Sequence, residues 1–215
     1  MRGLKVRRVA VALGLGFVLA MPTGCGSRDH RAPVRVVLES MPDTVDPHGH
    51  NEVVAWAMLC NVYDGLIGFS ADMRIQPALA SSWEQVSPTQ VRFHLRAGVS
   101  FHDGSSFGAD DVEASFERAR TASGRGIQHH LVGIRAMRAE DDLTLVVEME
   151  KPAPTLLNRL TYLFVVPKGE ATEAEITAPI GTGPYRFVGR GPDGTIRLEG
   201  ADGWRGRPEV ARVDF

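Results

Sequence analysis

Pro77-Ala-Leu-Ala-Ser-Ser-Trp-Glu84, Phe93-His-Leu-Arg-Ala-Gly-Val-Ser-Phe-His-Asp-Gly104 and Ala109-Asp-Asp-Val112 belong to one stretch, and its reading decides the fold. Ser82–Gln85 and Val91–Leu95 flank Ser87-Pro88, which predicts two neighbouring strands. Trp83 and Phe93 then form an apolar cross-strand surface. His102-Asp-Gly104 reads as a turn, with glycine supplying a positive φ. Gly108 reads as a helix N-cap, and Asp110 and Asp111 fall in the first turn, where carboxylates complement the helix dipole. Val112, Phe116 and Ala119 share one face of that helix.

Working outward, Val34–Glu39 reads as a strand and Ser40–His50 as a loop with two prolines. Glu52–Tyr63 predicts a helix whose apolar face carries Val53, Trp56, Ala57 and Cys60 and continues near Tyr63. Asp64–Gln76 predicts a short strand and a turn. Downstream, Ile134–Arg138 and Leu143–Met149 flank Glu140-Asp141-Asp142 as a β-hairpin. A helix is expected near Thr155–Thr161, after Pro152 and Pro154. Tyr185–Arg190 and Thr195–Glu199 flank Gly191-Pro192-Asp193-Gly194 as a second hairpin, and Val210–Phe215 is strand-like. The sum is an α+β domain with mixed, largely antiparallel sheets and flanking helices.

The 215 residues carry a formal charge of −2 with 43% hydrophobic and 23% charged residues, so nothing electrostatic points to nucleic acid. Arg2, Lys5, Arg7 and Arg8 precede the uncharged run Val9–Met21, which is too short to span a bilayer as a helix. Pro22-Thr-Gly-Cys25 follows, and the whole resembles a bacterial lipoprotein signal. The expectation is a signal peptide over 1–24, cleavage before an acylated Cys25, a tether over 25–33 and a domain over 34–215. The rival reading is an ordinary cleaved signal with an incidental cysteine. Without residues 1–24 the formal charge falls from −2 to −6. Cys60, inside an apolar helical run, reads as a buried, inert thiol.

Three ordered blocks resemble the extracellular solute-binding proteins that include oligopeptide, dipeptide and nickel binders. The first is Thr44-Val-Asp-Pro-His48 with Val62-Tyr-Asp-Gly-Leu66. The second runs from Pro77 through Val112 to Ser115-Phe-Glu-Arg118. The third is Pro179-Ile-Gly-Thr-Gly-Pro-Tyr185 with Trp204-Arg-Gly-Arg-Pro208. Read physically, the most recognisable of these residues are turns and packing positions rather than ligand contacts.

The resemblance implies a two-lobed, class II periplasmic-binding-protein-like fold with the ligand enclosed between lobes. This chain corresponds to part of the first lobe. It stops at Val210–Phe215, about where the family's chain crosses to the second lobe, so either a fragment or a truncated product is expected, with half the cleft missing. The implied function is the substrate-binding component of an ABC importer, without enzymatic activity or cofactor. Its partners would be a peptide or small solute, permease subunits and a membrane reached through the lipid anchor, in the cell envelope outside the cytoplasm. The alternative is a lipoprotein lobe with a structural or interaction role and no ligand. By position in peptide-binding relatives, Ser40, Met41, Pro42 and Asp43 form a cleft loop, or else a plain surface loop. Thr161 and Tyr162 correspond to another cleft-lining stretch, with Tyr162 otherwise a core or rim aromatic.

Two further motifs are weighed. His48, His50, His129 and His130 lack a third ligand at clear metal spacing, so no metal site is expected, and the default reading is solvated or capping histidine. Gly104-Ser-Ser-Phe-Gly108 matches G-x-S-x-G, but a His-Asp-Gly turn precedes Ser106 where a nucleophile elbow needs a strand.

Overall fold

The computed structural model describes residues 32–121 and 126–215. The signal expected over 1–24, Cys25 and most of the tether over 25–33 lie outside the described residues. In chain order the elements are β1 (Val34–Arg35), α1 (Val53–Leu59), β2 (Ile67–Phe69), β3 (Ile75–Pro77), β4 (Ala80–Ser87), β5 (Gln90–Leu95) and α2 (Ala109–Thr121). There follow α3 (Gln128–Leu131), β6 (Ile134–Asp141), β7 (Thr144–Met149), α4 (Leu156–Leu160), β8 (Tyr185–Arg190), β9 (Ile196–Gly200) and β10 (Arg212–Asp214).

The deciding stretch folds as read. β4 and β5 pair antiparallel with Trp83 opposite Phe93, ring centroids 6.3 Å apart. β5 and β6 both pair with β7, giving an antiparallel sheet of order β4-β5-β7-β6. Val112, Phe116 and Ala119 of α2 are fully buried in the same core as Phe93, Leu145 and Val147. Asp111 does more than complement a dipole. Its carboxylate accepts the Gly108 N–H at 2.8 Å and the Lys168 N–H at 2.8 Å, so it closes the helix start and ties it to the turn at Lys168.

A mixed second sheet has the order β1-β10-β9-β8, with β1 parallel to β10 and the rest antiparallel. β1 is shorter than expected: Val34 and Arg35 pair with Val213 and Asp214, and the expected continuation to Glu39 leaves the sheet. A second core joins α1 to this sheet through Met58, Leu59, Val62, Tyr63, Ile196 and Leu198.

The face of α1 is a correction. Ala55, Met58 and Leu59 point into the core, whereas Val53 is 80% exposed and Trp56 and Cys60 are only partly buried. The helix carries two apolar stripes, 53/56/57/60 and 55/58/59/62, both at helical spacing. The core takes the second because it runs on into buried Val62 and Tyr63. Cys60 consequently caps the helix instead of sitting in the core, and burial pushes its thiol pKa up.

The third block owes its glycines to close backbone contact. A Cβ on Gly181 would lie 1.9 Å from the Val62 carbonyl oxygen, and one on Gly183 2.6 Å from that of Asn61. Gly183 N–H instead donates to Val62 O, and Tyr185 N–H to Asn61 O, both at 2.9 Å. His102 holds the same bend: Gly181 N–H donates to its Nδ1 and its Nε2–H donates to Gly183 O.

Phe116→Ala should lower stability by about 3–5 kcal/mol, since a fully buried ring leaves a cavity among α2, β5 and β7. Chemical denaturation measures it, and a loss under about 1 kcal/mol would show the helix face to be misassigned.

Candidate functional site

Val53 and Trp56, on the less buried stripe of α1, form one wall of a pocket of about 230 Å³. His50–Glu52 lead into α1, which contributes Val53 and Trp56; the β2–β3 hairpin adds Phe69 and Met73, α3 with its preceding residue adds His130 and Ile127, and Tyr162 follows α4. Met73 stands at the hairpin tip with φ +60°.

The wall is largely flat rings. His130 and Tyr162 stack face to face, centroids 4.1 Å apart and planes 4° from parallel. Trp56 tilts against Tyr162 at 5.9 Å, and His129 lies against His130 at 3.9 Å. Behind the rings are unpartnered polar atoms. Trp56 Nε1 and both ring nitrogens of His50 are buried without a well-formed hydrogen bond. His50 itself is 7% exposed. Burial holds its pKa below the usual histidine value, although Asp46 and the nearby Glu52 backbone favour the charged ring. Trp56 and His50 both line the pocket, while Tyr63 Oη, Arg159 Nε and Glu170 Oε2 are in the same buried state outside it.

A buried ion pair positions this wall. Asp46 and Arg118 are each about 5% exposed at the side chain and meet through both carboxylate oxygens. The Asp46 carboxylate also accepts the His48 N–H and the Ile176 N–H, each at 2.9 Å. Burial pushes the Asp46 pKa up, but the hydrogen bonds from Arg118, Ile176 and His48 outweigh it and hold the group below its ordinary value. His48 corrects the expectation of a solvated or capping ring: it is fully buried, with Nε2–H donating to Phe164 O at 2.8 Å and Nδ1 accepting from Arg118 at 3.0 Å. Burial, with Arg118 and His50 nearby, drives its pKa down to about 4, against the opposing pull of the Phe164 carbonyl and Asp46. A Cβ on Gly126 would lie 2.0 Å from His48 O, so this glycine lets the approach to α3 close onto the same loop.

The expected cleft residues divide. Tyr162 lines the pocket, and its neighbour Thr161 is buried beneath with its hydroxyl donating to Asn158 O at 2.7 Å. Ser40, Met41 and Asp43 are exposed and Pro42 is buried, and none of the four lines this pocket. Met41 borders a separate groove with Arg35, Val37 and Phe215, and Pro42 O accepts from Arg190 at 3.0 Å. Trp56, His50 and His130 were not expected from sequence to line a pocket. Among the described residues no group of three or more His, Cys, Asp or Glu could hold a metal ion. Ser106 is exposed in a loop, bridged to Ser100, with no strand running into it.

Residues 74–215 match the family described as bacterial extracellular solute-binding proteins, family 5 middle. The chain belongs to that family. It is 28% identical to the glutathione-binding protein GsiB of Pectobacterium atrosepticum over 219 residues, 97% of this chain and 42% of the relative. The structure of DppA from Helicobacter pylori in complex with peptide STSA is 27% identical with a TM-score of 0.71, covering 84% of this chain and 41% of that one. The oligopeptide-binding protein AppA from Bacillus subtilis, solved with a nonapeptide, is 20% identical with a TM-score of 0.78 and shows the shared fold, covering 85% of this chain and 39% of that one. The chain thus spans about two fifths of the length of these relatives. Its fold is that of part of one lobe of a periplasmic binding protein, as the three blocks implied.

His48 is expected to stay neutral down to about pH 4. Between pH 6.5 and 4 the unfolded chain then binds more protons than the folded one, so this group's contribution to stability is lost as pH falls through that window. Proton NMR titration of the ring checks it. A midpoint near 6.5 would mean the ring reaches solvent and the buried network is wrong.

Proposed function

We propose that this chain is the solute-binding component of an ABC importer, capturing peptides or similar small solutes outside the cytoplasmic membrane and passing them unaltered to a permease. The observation that carries the reading is a pocket walled by the rings of Trp56, His130 and Tyr162 on a chain of this family. A concave, mostly apolar surface with aromatic walls suits a small solute. Membership of a solute-binding family supports it, as do relatives named for glutathione and solved with peptides. A second concavity of about 400 Å³, lined by Trp83, Pro88, Pro152 and Leu156, is larger but offers Gln85 as its one side chain with an amide.

Cys25 fits the reading as an acylated first residue that keeps the receptor at a membrane, two chains holding far better than one. Release of a Cys25→Ala protein into the soluble fraction is the expected result, and a wild type already soluble would remove the anchor from the account. Among the described residues no helix is long and apolar enough to cross a membrane.

Solute capture is read most directly at Trp56. Titration with a mixed di- to pentapeptide pool should change tryptophan fluorescence saturably, and Trp56→Phe should abolish that change while Trp83 and Trp204 still emit. A saturable signal that persists in Trp56→Phe would place the solute elsewhere.

A further inference from the structure

Resting on that reading of the pocket, we infer that it selects an uncharged aromatic side chain of a peptide. The geometry of the wall is the first ground. His130 and Tyr162 present a parallel pair of rings, with Trp56 tilted at 45° to Tyr162, so a third flat ring finds both a stacking and an edge-on partner. Phe69 and Ile127 close the sides. The volume, about 230 Å³, suits one large side chain rather than a whole peptide.

Charge is the second ground. Among the described residues no lysine or arginine lines the pocket, and its one carboxylate, Glu52, is exposed. An anionic group buried among these lining residues would lack a fixed cation, and an unpaired buried charge is strongly disfavoured. The two histidines do not supply one at neutral pH, because burial lowers the pKa of each. Glutathione, with two carboxylates, is therefore a poor match for this wall, although relatives are named for it.

The test is calorimetric titration of the whole chain with Ala-Phe-Ala-Ala, Ala-Ala-Ala-Ala, Ala-Glu-Ala-Ala and glutathione, repeated in Tyr162→Ala and Tyr162→Phe. The phenylalanine peptide should bind about ten-fold more tightly than the others, a ratio in keeping with one ring's burial and stacking. Tyr162→Ala should erase the preference and Tyr162→Phe should keep it. If the glutamate peptide or glutathione binds as tightly as the phenylalanine peptide, and Tyr162→Ala weakens all of them, the site stands and the aromatic class is wrong. If no ligand binds, or if Tyr162→Ala changes nothing, the site itself is wrong and the inference falls with it.

Discussion

The buried pair of Asp46 and Arg118 is the constraint on which the candidate site depends. Two charges this deep are tolerated because every strong acceptor position on Asp46 is used: by the Arg118 fork, the His48 N–H and the Ile176 N–H. Arg118 in turn donates toward the Glu173 carbonyl and to His48 Nδ1. One helix residue thus fixes the 44–48 loop, the carbonyl of Phe164 through His48, and the turn at Ile176. Removing either partner would leave an uncompensated charge, which costs about 3–5 kcal/mol in comparable buried pairs. The loop held this way continues directly into His50 and α1, the pocket's wall.

A second lock, at Asp64, sets the opposite end of α1. Its carboxylate accepts from Thr182 and from Trp204 Nε1, each at 3.0 Å, and pairs with Arg205 at 2.7 Å. Arg96 and Arg205 both lie over the Trp204 ring, their guanidinium carbons 4.5 and 4.3 Å from its centre. The Val62-Tyr-Asp-Gly, Gly-Thr-Gly-Pro and Trp204-Arg blocks are therefore one contact, 118 to 140 residues apart in sequence. That explains why the most recognisable residues are architectural. They bring segments together and leave Val53 and Trp56 of α1 on the wall of the pocket.

Much of this was legible beforehand. The β4–β5 pair, both hairpins and the inward face of α2 follow from local alternation and spacing, and the structure has them. What failed is what depends on partners far away. The two stripes of α1 are equally apolar, and only the position of β9 and Tyr63 decides which is core. His48 and His50 stand in a proline-containing loop, where solvation is the ordinary expectation; a partner 70 residues on, Arg118, buries the first of them. Tyr162 was picked out by its position in the family pattern, whereas Trp56 was assigned to the packed face and stands on the pocket's side. A tryptophan beside an exposed valine on the second stripe of a two-striped helix was the available signal.

The account makes one structural claim above the rest: the fork of Arg118 holds the wall of the pocket. Hydrogen exchange of Arg118→Lys, which keeps the charge and loses the bidentate geometry, tests it without emptying the site of a cation. Amides from His48 to Cys60 should lose protection by about ten-fold or more, while those of the central strands β5 and β7 keep theirs. Unchanged protection across His48–Cys60 would contradict the account, because the wall would then be held by something other than the Asp46–Arg118 pair.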